Sequence, residues 1–301
     1  MMQKKFKLLM KRSEIKRTTP SLAVKMFCGT NRMKKQLLLI GLTAILIGFF
    51  MFGLQISQAV AQAPQVQTNE IKNSVVSEKK AFVLLELYTS EGCPTCPPAD
   101  ANLAFLEKEQ PFVQAEIITL ALHVDYWNSL SWKDQYSSPM FSRRQQIYSM
   151  ALKVNSNYTP QMIVDGQTQF IGNNMAKAHK AILEAAKIQK ATIEIAPTAD
   201  KYKIKISDIP THGNATLFMA ITEDNLPSSL KNGENSGEKP EHISVVRELK
   251  SLGFLTAEQK NLELETVLQI QSAWKKENLK LVVFVQDNFS RKILGVSRIK
   301  I

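Results

Sequence analysis

The sequence predicts an α/β fold with a helical insertion, followed by a small all-β, sandwich-like segment. Two short and almost uninterrupted apolar runs, residues 81–88 and 116–124, flank a loop and a segment with helical spacing, which is the order of a βαβ unit. After residue 190 the pattern changes to short alternating runs separated by turn residues, which is typical of strands with one buried face. The length of 301 residues is enough for one large domain or two ordinary ones.

The N-terminal 61 residues carry the pattern of an export signal. An uncharged run of 18 residues at 37–54 follows two lysines and precedes a small-x-small sequence ending at Ala61. This layout predicts a secretory signal peptide, and the run is also just long enough for an uncleaved membrane anchor. Under both interpretations residues 62–301 are exported, to the periplasm or out of the cell, and residues 62–80 form a polar linker.

The positive charge of the chain lies in this leader. A translation start at Met33 instead of Met1 would exclude residues 1–32 from the protein. The net charge is +11 at pH 7, and 11 of the 38 lysines and arginines fall in residues 1–61 with a single acidic residue. Residues 62–301 keep 27 basic and 26 acidic side chains and are nearly neutral. The sequence therefore gives no electrostatic reason to expect a nucleic-acid partner, and we expect membrane contact only through an uncleaved N-terminal segment.

Two cysteines remain after export, Cys93 and Cys96, because Cys28 lies in the leader. In an oxidising compartment such a C-x-x-C pair is a disulfide, a redox pair or half of a metal site. Its place between a buried strand and a helix favours the redox interpretation, with an exposed Cys93 as the nucleophile and Cys96 as the resolving thiol. Pro97 opposes a regular turn that starts at Cys93, so we expect the helix to begin at Pro97 or Pro98, with Cys96 near its cap.

Three side chains are candidates for a proton relay to the cysteine pair. Glu86 lies within the first apolar strand, His123 ends the second, and Asp125 follows it. A buried acid or histidine beside a thiol can carry a proton to or from it. Simpler alternatives stay open, because Glu86 could point to a sheet edge and pair with a lysine, and His123 could be a core histidine with satisfied hydrogen bonds.

An aromatic insertion follows the second strand. Tyr126, Trp127 and Trp132 come just after the strand end, where open α/β sheets form ligand crevices, and we predict that they bind substrate. The alternative is that they fill a seam between two domains.

A helix is predicted for the second half of the insertion. Ser138 can cap this helix and Pro139 fits its first turn. Arg143 and Arg144 are expected on its solvated face.

The segment after the insertion supplies a further groove candidate. Pro160 precedes a short strand, and a proline there, in cis and facing the cysteines, would hold a substrate backbone. We therefore assign Pro160 to the catalytic groove and its neighbour Thr159 to substrate binding. Asp165 and Gly166 predict a hairpin turn, and residues 174–190 predict a helix.

The C-terminal part is predicted to be all-β. Residues 244–252 are expected to form a short helix or turn between strands. The six predicted strands cover residues 191–196, 202–209, 215–223, 262–270, 279–287 and 293–301.

Three sequence blocks in this order resemble one family of exported proteins. The blocks LLELYTSEGCPTCPPAD, ALHVDYWNSLSWKD and YTPQMIVDG are similar to the family called domain of unknown function 1223. The resemblance covers residues 82–301 and implies a thioredoxin-like domain over residues 81–190, followed by a β-rich domain over residues 191–301. It implies no established reaction. The chain departs from the usual pattern with Pro94 and Thr95 inside the cysteine pair.

Our hypothesis is an exported thiol–disulfide oxidoreductase that exchanges the Cys93–Cys96 disulfide with protein or small-molecule thiols and needs no bound cofactor. The alternative is a non-catalytic binding module, for a protein partner or a metal, in which that disulfide is structural. Copper or zinc could be held by Cys93, Cys96 and His123, but a fourth ligand has no recognisable spacing.

Overall fold

The computed structural model describes residues 80–228 and 242–301, which lie in one compact unit. The predicted leader and all but the last residue of the predicted linker lie outside the described residues. In the described part, no helix combines the length and the apolar character that crossing a membrane requires. The elements in chain order are β1 (Ala81–Thr89), α1 (Pro97–Glu109), β2 (Ala115–His123), α2 (Pro139–Ala151), β3 (Gln161–Val164), β4 (Thr168–Ile171), α3 (Met175–Ala186), β5 (Thr192–Pro197), β6 (Tyr202–Ser207), β7 (Ala215–Glu223), β8 (Val245–Leu255), β9 (Leu262–Thr266), a 3₁₀ turn (Lys276–Asn278), β10 (Leu279–Asp287) and β11 (Ile293–Lys300).

Eight strands form one sheet in the order β11-β10-β7-β8-β2-β1-β3-β4. β1 and β2 pair in parallel along their whole length and are buried on both faces, which explains their uninterrupted apolar sequences. β3 pairs antiparallel with β1 and forms a hairpin with β4. On the other side, β8 meets β2 at one residue pair, Ala121 and Val245. A 2.8 Å hydrogen bond between the hydroxyls of Thr119 and Ser244 supports this junction.

Helices cover both faces of this sheet. Leu85 and Leu87 of β1 pack with α1 and α3 in one core. Leu84 and Tyr88 point to the opposite face and pack with α2 in a second core. This second core also contains side chains of β7, β8, β10 and β11, so the C-terminal strands complete a core that begins in β1.

Strands β5, β6 and β9 form a separate three-stranded antiparallel sheet. Ile204 and Ile206 of β6 are fully buried against Leu217, Met219 and Val283 of the large sheet. Their intervening lysines face solvent, so the alternating sequence of β6 corresponds to one buried and one exposed face.

The prediction of a mixed α/β fold is confirmed. Helices begin at Pro97, Pro139 and Met175, close to the predicted starts, and Ser138 caps α2 by accepting a hydrogen bond from the backbone N–H of Met140. The boundary predicted after residue 190 falls between α3 and β5, and strands from both sides of it share the eight-stranded sheet.

The prediction for residues 244–252 is wrong, because most of this segment belongs to strand β8. Its apolar residues Val245, Val246, Leu249 and Leu252 have a spacing that suits one face of a helix. The strand accommodates this spacing because its pairing with β7 shifts register twice, and each irregularity breaks the two-residue alternation.

Candidate functional site

Cys93 and Cys96 form a disulfide between the end of β1 and the start of α1. Cys96 is the N-cap of α1, as expected from the prolines that follow it, and its carbonyl accepts hydrogen bonds from the N–H groups of Ala99 at 2.8 Å and Asp100 at 3.1 Å. The expectation that Cys93 is exposed is wrong, because both cysteines have 0% exposed surface.

Aromatic side chains of the insertion cover the loop at Gly92. A Cβ atom on Gly92 would lie 2.8 Å from Cζ3 of Trp132 and 3.5 Å from Cβ of Trp127, so the glycine permits this close approach. The indole N–H of Trp127 donates to the Thr159 hydroxyl at 2.7 Å. The insertion is thereby tied to the segment that precedes β3.

Pro160 lies across from the first turn of α1. Gly172 links them, since a Cβ atom there would meet Ala99 of α1 at 3.0 Å and Pro160 at 3.4 Å. The Thr159–Pro160 peptide bond is cis. The structure therefore brings Thr159, Pro160 and Trp127 to the surroundings of the cysteine loop.

The loop before the cysteines is held by the buried carboxylate of Asp134. Its Oδ2 atom accepts hydrogen bonds from the Glu91 N–H at 2.9 Å and the Ser90 hydroxyl at 3.3 Å, and it lies 2.7 Å from Nδ1 of His123. Its Oδ1 atom accepts from the Tyr136 N–H at 2.9 Å. One carboxylate thus joins the cysteine loop, the end of β2 and the insertion.

A second histidine completes this cluster from the C-terminal half. His242 is 3% exposed, and its Nε2 atom lies 3.0 Å from Oε1 of Glu91. The rings of His123 and His242 meet edge to face at 5.4 Å, and each packs against Tyr136 at 5.5 Å. We call Glu91, His123, Asp134 and His242 the acid–histidine cluster.

The pKa values of His123 and Asp134 follow from the burial of these two side chains beside each other. Burial lowers the pKa of His123, but the carboxylates of Asp134, Asp100 and Glu91 together outweigh burial and raise that pKa above 6.5. Burial raises the pKa of Asp134, but His123 and the N–H groups of Glu91 and Tyr136 hold it below 3.8. The pair therefore favours an imidazolium and a carboxylate.

Asp100 is a further acid at this site that the sequence analysis missed. It lies in the first turn of α1, four residues after Cys96, which puts both side chains on the same face of the helix. Burial raises the pKa of Asp100 from 3.8 to about 6, against the opposing effects of His123, Thr89 and His242. Its carboxyl group therefore titrates close to neutral pH, within the electrostatic reach of the acid–histidine cluster.

Glu86 and Asp125, the other two candidates for the proton relay, form their side-chain contacts with α2. Glu86 is buried on the α2 face of the sheet, where it forms an ion pair with Arg144 at 2.6 Å and accepts a hydrogen bond from the Tyr148 hydroxyl. The expectation that Arg144 is solvated is wrong, because its side chain is only 11% exposed. Asp125 interacts with Ser142 of α2 through its backbone N–H and its carboxylate. The structure thus brings neither Glu86 nor Asp125 into contact with the cysteines.

The remaining aromatic candidate, Tyr126, donates a hydrogen bond to Gln145 of α2 at 3.1 Å and is 45% exposed. Trp127 is 39% exposed beside it. Within residues 80–228 and 242–301, no group of three or more His, Cys, Asp or Glu side chains is arranged to hold a metal ion.

Sequence comparison gives a match over residues 84–286 to the family described as "Protein of unknown function (DUF1223)". The chain belongs to this family. The matched region of this DUF1223 protein contains the cysteine pair, the insertion and the whole acid–histidine cluster. Comparison with curated proteins gave no match.

Two solved structures resemble the DUF1223 protein over most of its length. Protein AGR_C_4864 from Agrobacterium tumefaciens is 24% identical, with a TM-score of 0.60 over 73% of this chain and 95% of that chain. HBP35 of Porphyromonas gingivalis is 14% identical, with a TM-score of 0.50 over 74% of this chain and 76% of that chain. At these identities the likeness concerns the fold alone.

A third structure is more distant. The domain of the outer membrane lipoprotein Omp28 from Porphyromonas gingivalis is 17% identical, with a TM-score of 0.23 over 38% of this chain and 89% of that chain. That score is too low to support an inference about the DUF1223 protein.

Proposed function

We propose that this DUF1223 protein is an exported thiol–disulfide oxidoreductase with a thioredoxin-like site at Cys93 and Cys96. The observation that carries the proposal is the Cys93–Cys96 disulfide at the start of α1, directly followed in that helix by an acid whose pKa is about 6. A structural cross-link between residues three apart restricts the unfolded chain little, so stabilisation alone is a weak reason for it.

The exchange uses the two sulfurs in turn. In the reduced protein the Cys93 thiolate attacks one sulfur of a partner disulfide, and the other partner sulfur leaves as a thiolate and takes up a proton. The Cys96 thiolate then attacks Cys93, which re-forms the Cys93–Cys96 disulfide and releases the partner as a dithiol. Two electrons pass to the partner, and exchange with an external dithiol returns the protein to its reduced state.

Asp100 is suited to accept the proton of Cys96. The thiol must be deprotonated before it attacks the mixed disulfide. A carboxyl with a pKa of about 6 is partly ionised near neutral pH and can both accept and return a proton. His123, whose pKa is raised beside Asp134, supplies a positive charge that favours the ionised carboxylate.

Access to the sulfurs requires a movement of their cover. Both cysteines are fully buried, while Trp132 packs on Gly92 beside them and Trp127 is partly exposed. We propose that a substrate displaces the indole of Trp132 and takes its place between Trp127, Thr159 and Pro160. The partner would be a protein or small-molecule thiol or disulfide.

Three measurements test this function. The reduction potential of Cys93–Cys96 in residues 62–301, equilibrated with glutathione, should lie above about −250 mV. Cys93→Ser should abolish disulfide exchange with a model disulfide substrate. Cys96→Ser should accumulate a mixed disulfide at Cys93, which mass spectrometry detects, and a Cys96→Ser protein that never forms one would contradict the assigned roles.

A second candidate function rests on the burial of both cysteines. A fully buried disulfide suits a structural clip that fixes the loop of a non-catalytic binding module. A reduction potential below about −300 mV would favour this candidate. The reduced protein should then be tested for bound copper or zinc. Stoichiometric metal that is lost in His123→Ala would show that the binding module binds a metal.

A further inference from the structure

A cavity of about 350 Å³ lies on the α2 face of the large sheet, away from the α1 face that carries the cysteine loop. Its volume falls within the range of small-molecule sites. Its apolar wall is formed by Ile147 and Tyr148 of α2, Phe218 of β7 and Leu249 of β8. These side chains would bury an apolar ligand portion.

The charged residues that line this cavity are all cationic: Arg143, Arg144, Lys250 and Arg291. Two of them are neutralised by carboxylates, since Arg144 pairs with Glu86 at 2.6 Å and Lys250 with Glu248 at 3.1 Å. Arg143 and Arg291 form no ion pair with any residue in the described ranges. The cavity therefore combines an apolar wall with two guanidinium groups that form no ion pair within the described ranges.

Arg291 also has an unsatisfied donor. Its Nε atom is buried and has no hydrogen-bond partner among residues 80–228 and 242–301. Leaving a buried donor without an acceptor is unfavourable, so an anionic acceptor here would be stabilised. Burial and the neighbouring charge of Arg144 both disfavour the guanidinium, which lowers the pKa of Arg291.

The backbone holds Arg291 in place before any ligand arrives. Its carbonyl accepts a hydrogen bond from Nε2 of Gln286 at 2.8 Å, and its N–H donates to the Asp287 carbonyl at 3.1 Å. Gly166 packs so closely that an added Cβ atom would lie 1.9 Å from the Arg291 oxygen. These contacts fix the backbone of Arg291 at the cavity wall, and the side chain extends from that fixed point.

We propose that this cavity binds an amphipathic monocarboxylate, with its apolar tail against Phe218 and Leu249 and its carboxylate on Arg143 and Arg291. An aliphatic tail matches the apolar wall, and guanidinium groups recognise a carboxylate through two parallel hydrogen bonds. The site does not involve the cysteines, so this proposal does not depend on the proposed redox function.

Calorimetric titration of residues 62–301 with decanoate, below its micelle concentration, tests the proposal. Decanoate should bind with a dissociation constant below about 1 mM. Acetate, which lacks the tail, and decyltrimethylammonium, which reverses the charge, should each bind at least about tenfold more weakly. Absence of decanoate binding, or equal binding of the cationic detergent, would overturn the proposal.

Variants locate the binding. Arg291→Gln and Arg143→Gln should each weaken decanoate binding at least about tenfold. Lys205→Gln removes the same charge from the exposed face of β6 and should leave the affinity unchanged. Ser251→Trp, which fills the cavity from the exposed edge of β8, should block binding in a protein whose circular dichroism is that of the wild type. Affinity that survives both arginine substitutions would exclude this site.

Discussion

His123 Nδ1 lies 2.7 Å from Asp134 Oδ2, and the same carboxylate oxygen accepts the N–H of Glu91 two residues before Cys93. The position of the cysteine loop therefore depends on a buried ion pair formed by the end of β2 and the insertion. Because the ion pair is enclosed, each partner stabilises the charged form of the other.

Asp134→Asn should lower the free energy of unfolding at pH 7 by about 3 kcal/mol, because the change removes one partner of a buried pair. The pKa of Asp134 is lowered in the fold, so its contribution is present above 3.8 and is lost as the pH falls through the folded value. In urea unfolding, the difference in the free energy of unfolding between wild type and variant should decrease as the pH is lowered into the acid range. Asp200→Asn, at an exposed turn, is the matched control and should change stability by less than about 0.5 kcal/mol.

Asp100→Asn should change the pH dependence of stability in the opposite direction. The folded pKa of about 6 exceeds the value of 3.8 for a free side chain, so the native protein binds a proton that the unfolded chain has lost. Stability contributed by Asp100 is therefore full below pH 3.8 and is lost as the pH rises through about 6. The variant should gain stability relative to wild type between these pH values, and a difference that is constant with pH would contradict this role.

Trp132→Ala should speed reduction of the Cys93–Cys96 disulfide by dithiothreitol at least about tenfold, because the indole covers Gly92. Gly92→Ala should act in the same direction, since its Cβ atom would displace the end of that indole. Leu130→Ala is the control in the same insertion, because Leu130 is fully exposed. Equal rates in all four proteins, followed by the absorbance of oxidised dithiothreitol, would show that the insertion does not limit access.

Glu86→Gln should destabilise the fold by about 3 kcal/mol, since it leaves the buried Arg144 without its counter-ion. The reduction potential of the disulfide should stay unchanged, because Glu86 faces α2 and does not touch the cysteines. A shifted potential would restore Glu86 as a relay residue. Glu263→Gln, the matched control, removes an exposed partner of Lys203 and should leave the free energy of unfolding nearly unchanged.

The sequence predicted the elements whose causes are local. Continuous apolar runs marked β1 and β2, Pro97 located the start of α1, and Ser138 marked the cap of α2. Each of these signals lies within a few residues of its consequence. The cysteine spacing likewise identified the disulfide without any knowledge of the fold.

The buried partners were missed because they are distant in sequence. Glu91 meets His242 across 151 residues, and Glu86 meets Arg144 across 58. No spacing rule connects such pairs, since only the sheet order and the crossing of α2 bring them together. The burial of Cys93 was missed for a similar reason, because the neighbouring Gly92 packs against Trp132 from a separate segment.

The core that Leu84 begins is closed by Val296 of β11, the final strand of the large sheet. A nascent chain therefore presents β1 and β2 with an apolar face that α2 covers only in part until β10 and β11 have left the ribosome. The N-terminal elements therefore cannot complete this core before the C-terminal strands have been synthesised. A chain that stops before β10 would lack Val282, Phe284, Ile293 and Val296, and it would leave the rest of this core exposed to solvent.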